Sequence, residues 1–343
     1  MVEPRFWQSK THPVSLAFLP VSYLYAGLEA LNRKLTHAQH PGKPVICVGN
    51  LTAGGAGKTP TVQWVTHWLT QENRRPAVLS RGFGGSLKGP LHVDPTQHSA
   101  AQVGDEPLML ADTCAVYICA DRHQSLRLAA QDGHAVMVKD DGFQNPSMTH
   151  HFNLIVIDGA TGIGNGRLLP AGPLRQPLSI ALKRLDALLV IGAASHSSLE
   201  PLMKSVEAMG KPIFTGEIKP QSPKPKKSGA RVHAFCGIAK PEKFIASLRG
   251  HGYDVAQISS FGDHHAFTEA EAERLLASDL KLITTQKDMA RLQGAAKGSA
   301  LARLAKAASP LPIALHIREA DALRKAIDTA LEQKQASQLY KSY

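Results

Sequence analysis

Cysteine is scarce in this sequence: four residues among 343, Cys47, Cys114, Cys119 and Cys236, none in a C-x-x-C pair. That excludes a disulfide-built scaffold and a thiolate metal centre, and it fits a reducing compartment. Histidine is plentiful, but His150 with His151 and His264 with His265 are adjacent pairs, not the i, i+4 spacing of a helical zinc site. No apolar run is clean enough to cross a bilayer. Residues 11–28 contain no Asp, Glu, Lys or Arg, yet Pro13, Ser15, Pro20, Ser22 and Gly27 interrupt them. Nor is positive charge gathered in one block. The formal net charge of +11 is spread, with Lys219, Lys224, Lys226, Lys227 and Arg231 as its densest group. Such a balance favours an anionic partner, whether nucleic acid, membrane surface or phosphorylated substrate, without choosing among them.

What is present is pattern. Val21, Leu24, Leu28, Leu31 and Leu35 recur at alternating three- and four-residue steps, with Ser22, Glu29, Asn32 and Arg33 elsewhere on the wheel. This predicts an amphipathic helix. Spacing alone favours packing of its apolar face on the protein's own core. The other use is a membrane interface, with Arg33 and Lys34 near lipid phosphates.

Further on, strand-like runs at 45–48, 77–79, 115–118, 135–138, 154–157 and 187–191 alternate with helix-compatible stretches such as 61–69 and 125–131. That order predicts a parallel sheet covered by helices on both faces, a three-layer α/β/α core. Residues 219–229, KPQSPKPKKSG, suit neither a core strand nor a helix interior and read as an exposed linker. Beyond them, strands at 232–236, 254–258, 281–284 and 313–317 and helices at 241–250, 269–277 and 319–335 predict a second, smaller α/β domain. The expected division is a helix within 1–40, a core domain over 41–218, a basic linker over 219–230 and a smaller domain over 231–335.

The strongest chemical signal follows the first strand. Thr52, Ala53, Gly54, Gly55, Ala56, Gly57, Lys58 and Thr59 form a glycine-rich loop leading into a helix, the order of a phosphate-loop NTPase-like core. Glycines let backbone N–H groups face phosphate oxygens, Lys58 reaches the β- and γ-phosphates, and Thr59 offers a hydroxyl to Mg²⁺. ATP with Mg²⁺ is the expected ligand, which argues against a secreted chain. Thr52 stands where the usual pattern has its first glycine.

The strand at 135–138 runs into Asp140-Asp141-Gly142. By itself this is a turn sequence, but after a phosphate loop either carboxylate is placed to serve Mg²⁺. Asp105, in Gly104-Asp105-Glu106-Pro107, reads locally as a helix N-cap or as a general base for an acceptor hydroxyl. His264 and His265 fall in a loop just before a capping-box start, Thr268-Glu269-Ala270-Glu271.

Taken in order, these pieces resemble the tetraacyldisaccharide 4′-kinase family, from about Pro44 to about Arg291. The resemblance rests on Gly49-Asn50-Leu51-Thr52 with the loop after it, Ser80-Arg81-Gly82-Phe83-Gly84, Gly104-Asp105-Glu106-Pro107 and Asp140-Asp141-Gly142-Phe143-Gln144. It continues through Asp158-Gly159, Gly164-Asn165-Gly166, Leu169-Pro170-Ala171-Gly172-Pro173-Leu174-Arg175, Phe235-Cys236-Gly237-Ile238, Asp263-His264, and Thr284-Thr285 with Lys287-Asp288. Thr52 is itself typical of that family. Asn145 stands where the family pattern has His, and Gln286 where it has Glu.

The resemblance implies transfer of the ATP γ-phosphate to the 4′-hydroxyl of a tetraacylated glucosamine disaccharide 1-phosphate, at the cytoplasmic face of the inner membrane of a Gram-negative-type bacterium. It implies two α/β/α domains with the site between them, an acid/base dyad of Asp105 and His264 drawn from different domains, and Arg122 as a stabiliser of transferring charge. A membrane-embedded substrate also turns the amino-terminal helix towards the anionic bilayer surface, and neither nucleic acid nor an obligate protein partner is expected. Two rival readings are a partition or carrier-type ATPase and an ATP-regulated nucleic-acid binder. The first is weakened by Ala53, which stands where such switches carry a lysine.

Overall fold

The computed structural model describes residues 4–225 and 229–339. Its strands, in chain order, are β1 (Val45–Asn50), β2 (Pro76–Ser80), β3 (Leu91–His92), β4 (Ala115–Ile118), β5 (Val136–Asp140), β6 (Phe152–Asp158) and β7 (Ala187–Ile191). They continue as β8 (Ile213–Pro220), β9 (Ala230–Cys236), β10 (Tyr253–Ser260), β11 (Lys281–Thr285), β12 (Ser309–Leu311) and β13 (Ile313–Ile317).

The chain forms two compact units whose boundaries depart from the expected ones. The smaller joins Arg81–Ala120 to Lys219–Ala314, and the larger holds the remaining described residues. Residues 81–120, expected in the core domain, therefore pack with the carboxy-terminal half. The chain from Leu315, expected in the smaller domain, returns to the larger unit. There the Arg318 N–H donates to Thr215 O at 2.9 Å and Arg74 pairs with Asp328 at 2.5 Å. These contacts join residues far apart in sequence, which strand and helix patterns do not encode. Of the expected linker, Lys219 and Pro220 belong to β8, and Lys226, Lys227 and Ser228 lie outside the described residues.

In the larger unit the strands run in the order β8-β7-β6-β1-β5-β2, every pair parallel. Strands β1, β2, β5, β6 and β7 are buried at every residue, as helices on both faces require. The helices include Lys58–Gln71, Arg122–Gln131, Leu178–Arg184 and Leu199–Glu207. From β1 the chain crosses to β2 on one side, and from its neighbour β6 it passes to β7 on the other, so the connections part between β1 and β6, and the carboxyl ends of strands at such a point are the usual ligand position.

The smaller unit carries a parallel sheet in the order β10-β9-β11-β12. Alternation along β9 sends Val232, Ala234 and Cys236 into a cluster with Phe244 and Leu248, and Phe235 into another with Phe267, Leu275 and Leu304. The helices Asp105–Ala111 and Gln286–Leu292 pack together in this unit.

The amino-terminal helix Leu19–Leu35 forms as its spacing predicts, but turned inside out relative to core packing. Leu24, Leu28 and Leu35 are 64%, 59% and 69% exposed, while Ser22 is 4% exposed. Its polar side chains do the packing. Ser22 Oγ donates to Leu168 O at 2.9 Å and accepts the Ala171 N–H at 3.0 Å, and Tyr25 Oη donates to Arg175 O at 2.8 Å. From the preceding short helix, Ser15 Oγ donates to Ala171 O at 2.6 Å. Arg33 is turned inward onto Glu29 and Gln176, and Lys34 stays exposed. Among the described residues no helix is long and apolar enough to cross a membrane.

Ser22→Leu, which adds apolar surface on the covered face, should lower unfolding stability by about 1–3 kcal/mol, because it strands two buried backbone groups. Leu24→Ser should change it by less than about 0.5 kcal/mol. Urea denaturation checks both, and equal effects would contradict the observed orientation.

Candidate active site

β1 delivers its carboxyl end to the phosphate loop, and the loop's odd position has a structural cause. Thr52 forms an antiparallel bridge with Leu174, and the Ala53 N–H donates to Pro173 O at 2.8 Å. A side-chain-bearing residue suits that extended position better than glycine. The turn itself needs glycine further on: Gly54 and Gly57 have φ of +116° and +89°. A Cβ on Gly57 would also stand 2.6 Å from Ile191 Cδ1. Asn50 Nδ2 donates to Gly54 O at 3.3 Å, which ties the loop to the strand before it. Around Gly55, by contrast, there is open space. Ala56 is buried, Gly57 caps the helix Lys58–Gln71, and Thr59 lies buried in its first turn. The amino end of this helix supplies the N–H groups and dipole that bind phosphate.

β5 brings two carboxylates beside this loop. Asp140 sits opposite Val48 of β1, and the Asp141 N–H donates to Val48 O at 3.0 Å. Asp141 takes a φ of +47°, turns out of the strand, and receives Arg175 Nη1 at 2.8 and 3.0 Å, with Lys58 Nζ at 3.6 Å. Burial by itself would raise the Asp141 pKa, but Lys58 and Arg175 outweigh it and hold the carboxyl below its ordinary range. Gly142 is required because any Cβ there would strike the stem of Lys139. That lysine is fully buried, reaches His150 Nε2 at 3.1 Å, and is pushed down by burial to about 8. Arg122 is buried in the first turn of Arg122–Gln131.

The smaller unit assembles a second cluster. Asp105 opens the helix Asp105–Ala111, with Oδ1 accepting the Glu106 N–H at 2.9 Å. Its Oδ2 faces His264 Nδ1 at 2.9 Å. His264 reaches it from a loop residue with φ of +57°, its N–H donating to Gly237 O at 3.2 Å. The ring of Phe83 meets the imidazole edge-on at 6.0 Å. Both members of this pair thus lie in one compact unit, not one in each domain as expected. Burial raises the Asp105 pKa, but the His264 hydrogen bond and Arg291 charge overcome it and hold the carboxyl far below its ordinary range. His264 is raised, chiefly by its hydrogen bond to Asp105.

Larger and smaller units therefore each bring a set together: Lys58, Asp141 and Arg175 in one, Asp105, His264 and Arg291 in the other. Sequence reasoning gave no role to Arg175, Glu106, Lys287 or Arg291. Arg175, Glu106 and Lys287 lie inside quoted motifs, and Arg291 follows Lys287-Asp288 by one helical turn, so i, i+3 spacing was the available signal. The departures from the family pattern have local uses. Asn145 Oδ1 accepts the Ser147 N–H at 2.9 Å, and Gln286 Oε1 accepts the Ile313 N–H at 3.1 Å.

A raised His264 pKa stabilises the fold below the ordinary 6.5, an effect lost as pH climbs through the folded value. Asp105 acts oppositely: its contribution is present above 3.8 and is lost as pH falls through its lower folded value. An NMR titration should place the His264 midpoint above 6.5. Asp105→Asn should lower that midpoint; an unmoved value would dissociate the pair.

Comparison with known proteins fits this geometry. The family model for tetraacyldisaccharide-1-P 4′-kinase matches residues 14–332. A tetraacyldisaccharide 4′-kinase of Rhodopseudomonas palustris (strain HaA2) is 41% identical over 329 residues, covering 94% of this chain and 95% of its own. One from Parvibaculum lavamentivorans is 42% identical over 339 residues, covering 96% and 98%. The structure of LpxK from Aquifex aeolicus in complex with ATP superimposes with a TM-score of 0.72 at 27% identity, covering 93% of this chain and 99% of that one. These matches lend no support to the partition-type ATPase or the nucleic-acid binder. With a match spanning nearly the whole sequence, the chain belongs to the tetraacyldisaccharide-1-P 4′-kinase family.

Proposed function

We propose that this chain transfers the γ-phosphate of ATP to the 4′-hydroxyl of a tetraacyldisaccharide 1-phosphate, with His264 as the base and Asp105 as its orienting partner. As a family member it is an ATP-using kinase. The observation that carries the residue assignment is the 2.9 Å contact between His264 Nδ1 and Asp105 Oδ2. With Asp105 ionised, Nδ1–H would donate to the carboxylate, which would leave Nε2 to accept the proton of an attacking hydroxyl. That oxygen bonds to the γ-phosphorus as the bond to the β-phosphate oxygen breaks and ADP departs.

In the phosphate loop, Gly54, Gly55, Ala56 and Gly57 would present backbone N–H groups to the phosphates, and Lys58 its ammonium. Mg²⁺ would be held by the Thr59 hydroxyl and the Asp140 and Asp141 carboxylates, hard oxygen donors of the kind this ion takes, and would neutralise phosphate charge. The ionised state of Asp141 suits that role. Arg122 takes the part the resemblance implies, stabilising charge on the transferring group.

The exposed row of Val21, Leu24, Leu28, Leu31 and Leu35 supports peripheral docking at the cytoplasmic face of the inner membrane, where the acyl chains of the substrate reside. Each such side chain moved out of water contributes on the order of 1 kcal/mol or more. Lys34 is placed for lipid phosphate, whereas Arg33 is already engaged by Glu29 and Gln176.

Labelled ATP, Mg²⁺ and detergent-solubilised disaccharide acceptor should yield label on the lipid; none, with a competent acceptor, would defeat the proposal. Asp105→Ala and His264→Ala should each lower kcat by about 10²- to 10⁴-fold with ATP affinity kept. Replacing Leu24, Leu28 and Leu31 together with Ser should release the protein from anionic liposomes, and undiminished binding would remove the helix from the docking role.

A further inference from the structure

We propose that Arg291 is a positioning residue for phosphoryl transfer: it clamps the carboxylate oxygen of Asp105 that faces His264, and so fixes the imidazole for proton abstraction. This rests on the dyad reading above.

All three guanidinium nitrogens are committed. Nε donates to Asp105 Oδ2 at 2.9 Å, and Nη2 donates to the same oxygen. Nη1 donates to Asp288 Oδ1 and to Gly237 O, each at 2.6 Å. Gly237 O also accepts the backbone N–H of His264, so one side chain ties together the carboxylate and the carbonyl that hold this histidine. Arg291 is itself held from behind. Asp288 is fully buried, accepts the Gly237 N–H at 3.0 Å through Oδ1 and the Thr285 hydroxyl at 2.6 Å through Oδ2. A second pair on the same two helices, Lys287 with Glu106, repeats the link one residue after Asp105 and one turn before Arg291.

The arrangement has a chemical consequence beyond rigidity. Asp105 would otherwise be a buried carboxylate whose charge drives His264 towards the protonated form, in which it is no base. The guanidinium shares that charge. The groups facing His264 are Asp105 and Arg291 at Nδ1 and Asp263, whose Oδ2 lies 3.8 Å from Nε2; Lys287 and Glu106 stand beside Asp105. Of the cations there, Arg291 is the one on the shared oxygen. It tempers the pull of the carboxylate on the imidazole proton while keeping that carboxylate in place to orient the ring, and Lys cannot reproduce the planar fork.

The test compares Arg291→Lys and Arg291→Met with the parent enzyme in steady-state kinetics across pH, on protein whose thermal midpoint shows it folded. Arg291→Lys should lower kcat by about 10- to 100-fold through lost positioning, leaving the KM for ATP within about twofold and the acidic limb of kcat/KM in place. In Arg291→Met the acidic limb should also move to higher pH, because Asp105 then acts on His264 unopposed. Where Arg291→Met does not fold, Arg291→Lys decides through kcat and through the His264 ring ¹⁵N shifts, which report its tautomer. Parent-like kcat, pH profile and tautomer in a folded variant overturn the clamp. If Asp105→Ala and His264→Ala still abolish turnover, the dyad survives that result; if they too are without effect, the dyad reading itself falls.

Discussion

The backbone pairing of β1 between β5 and β6 is the constraint on which the nucleotide half of the molecule depends. Parallel register puts Val48 opposite Asp140, so the strand that feeds the phosphate loop and the strand that ends in two carboxylates terminate at the same edge. Every residue of both strands is buried. A slip of one residue would turn each side chain to the other face and carry the carboxylates away from the loop. Hydrophobic burial thus fixes the placement of Lys58, Asp140 and Asp141 before any of them meets a ligand.

Charge, not apolar packing, organises the local chemistry in both units. In the larger, Asp141 stands between Lys58 and Arg175, whose charges oppose the cost of its partial burial and hold it ionised beside the loop. In the smaller, buried Asp105 and Asp288 share Arg291, and Asp105 alone reaches on to His264. In both networks each carboxylate has a cationic partner that opposes the cost of taking it out of water.

The amino-terminal helix shows the opposite economy. Serines, a tyrosine hydroxyl and a folded-back arginine hold it to the segment 167–176, while its leucines face outward. That same segment bridges Thr52 and carries the arginine that grips Asp141. The helix and the phosphate loop therefore rest on one stretch of backbone, and an apolar surface that water disfavours is kept because the polar face is specifically bound.

Much of this was legible in the amino-acid order. Local periodicity determined the alternating strands and helices, the glycine positions of the phosphate loop, the carboxylates ending β5 and the amphipathic helix, because each depends on residues within a few positions of one another. Many short motifs in one order determined the family. Tertiary structure alone decided which face of the helix is covered, that residues 81–120 join the carboxy-terminal half, that Asp105 and His264 share one unit, and that Arg175 and Arg291 are the cations on the two carboxylates. Each is a contact between segments separated by tens to hundreds of residues. A carboxylate's partner is set by which chain segments fold beside it, and no local spacing records that.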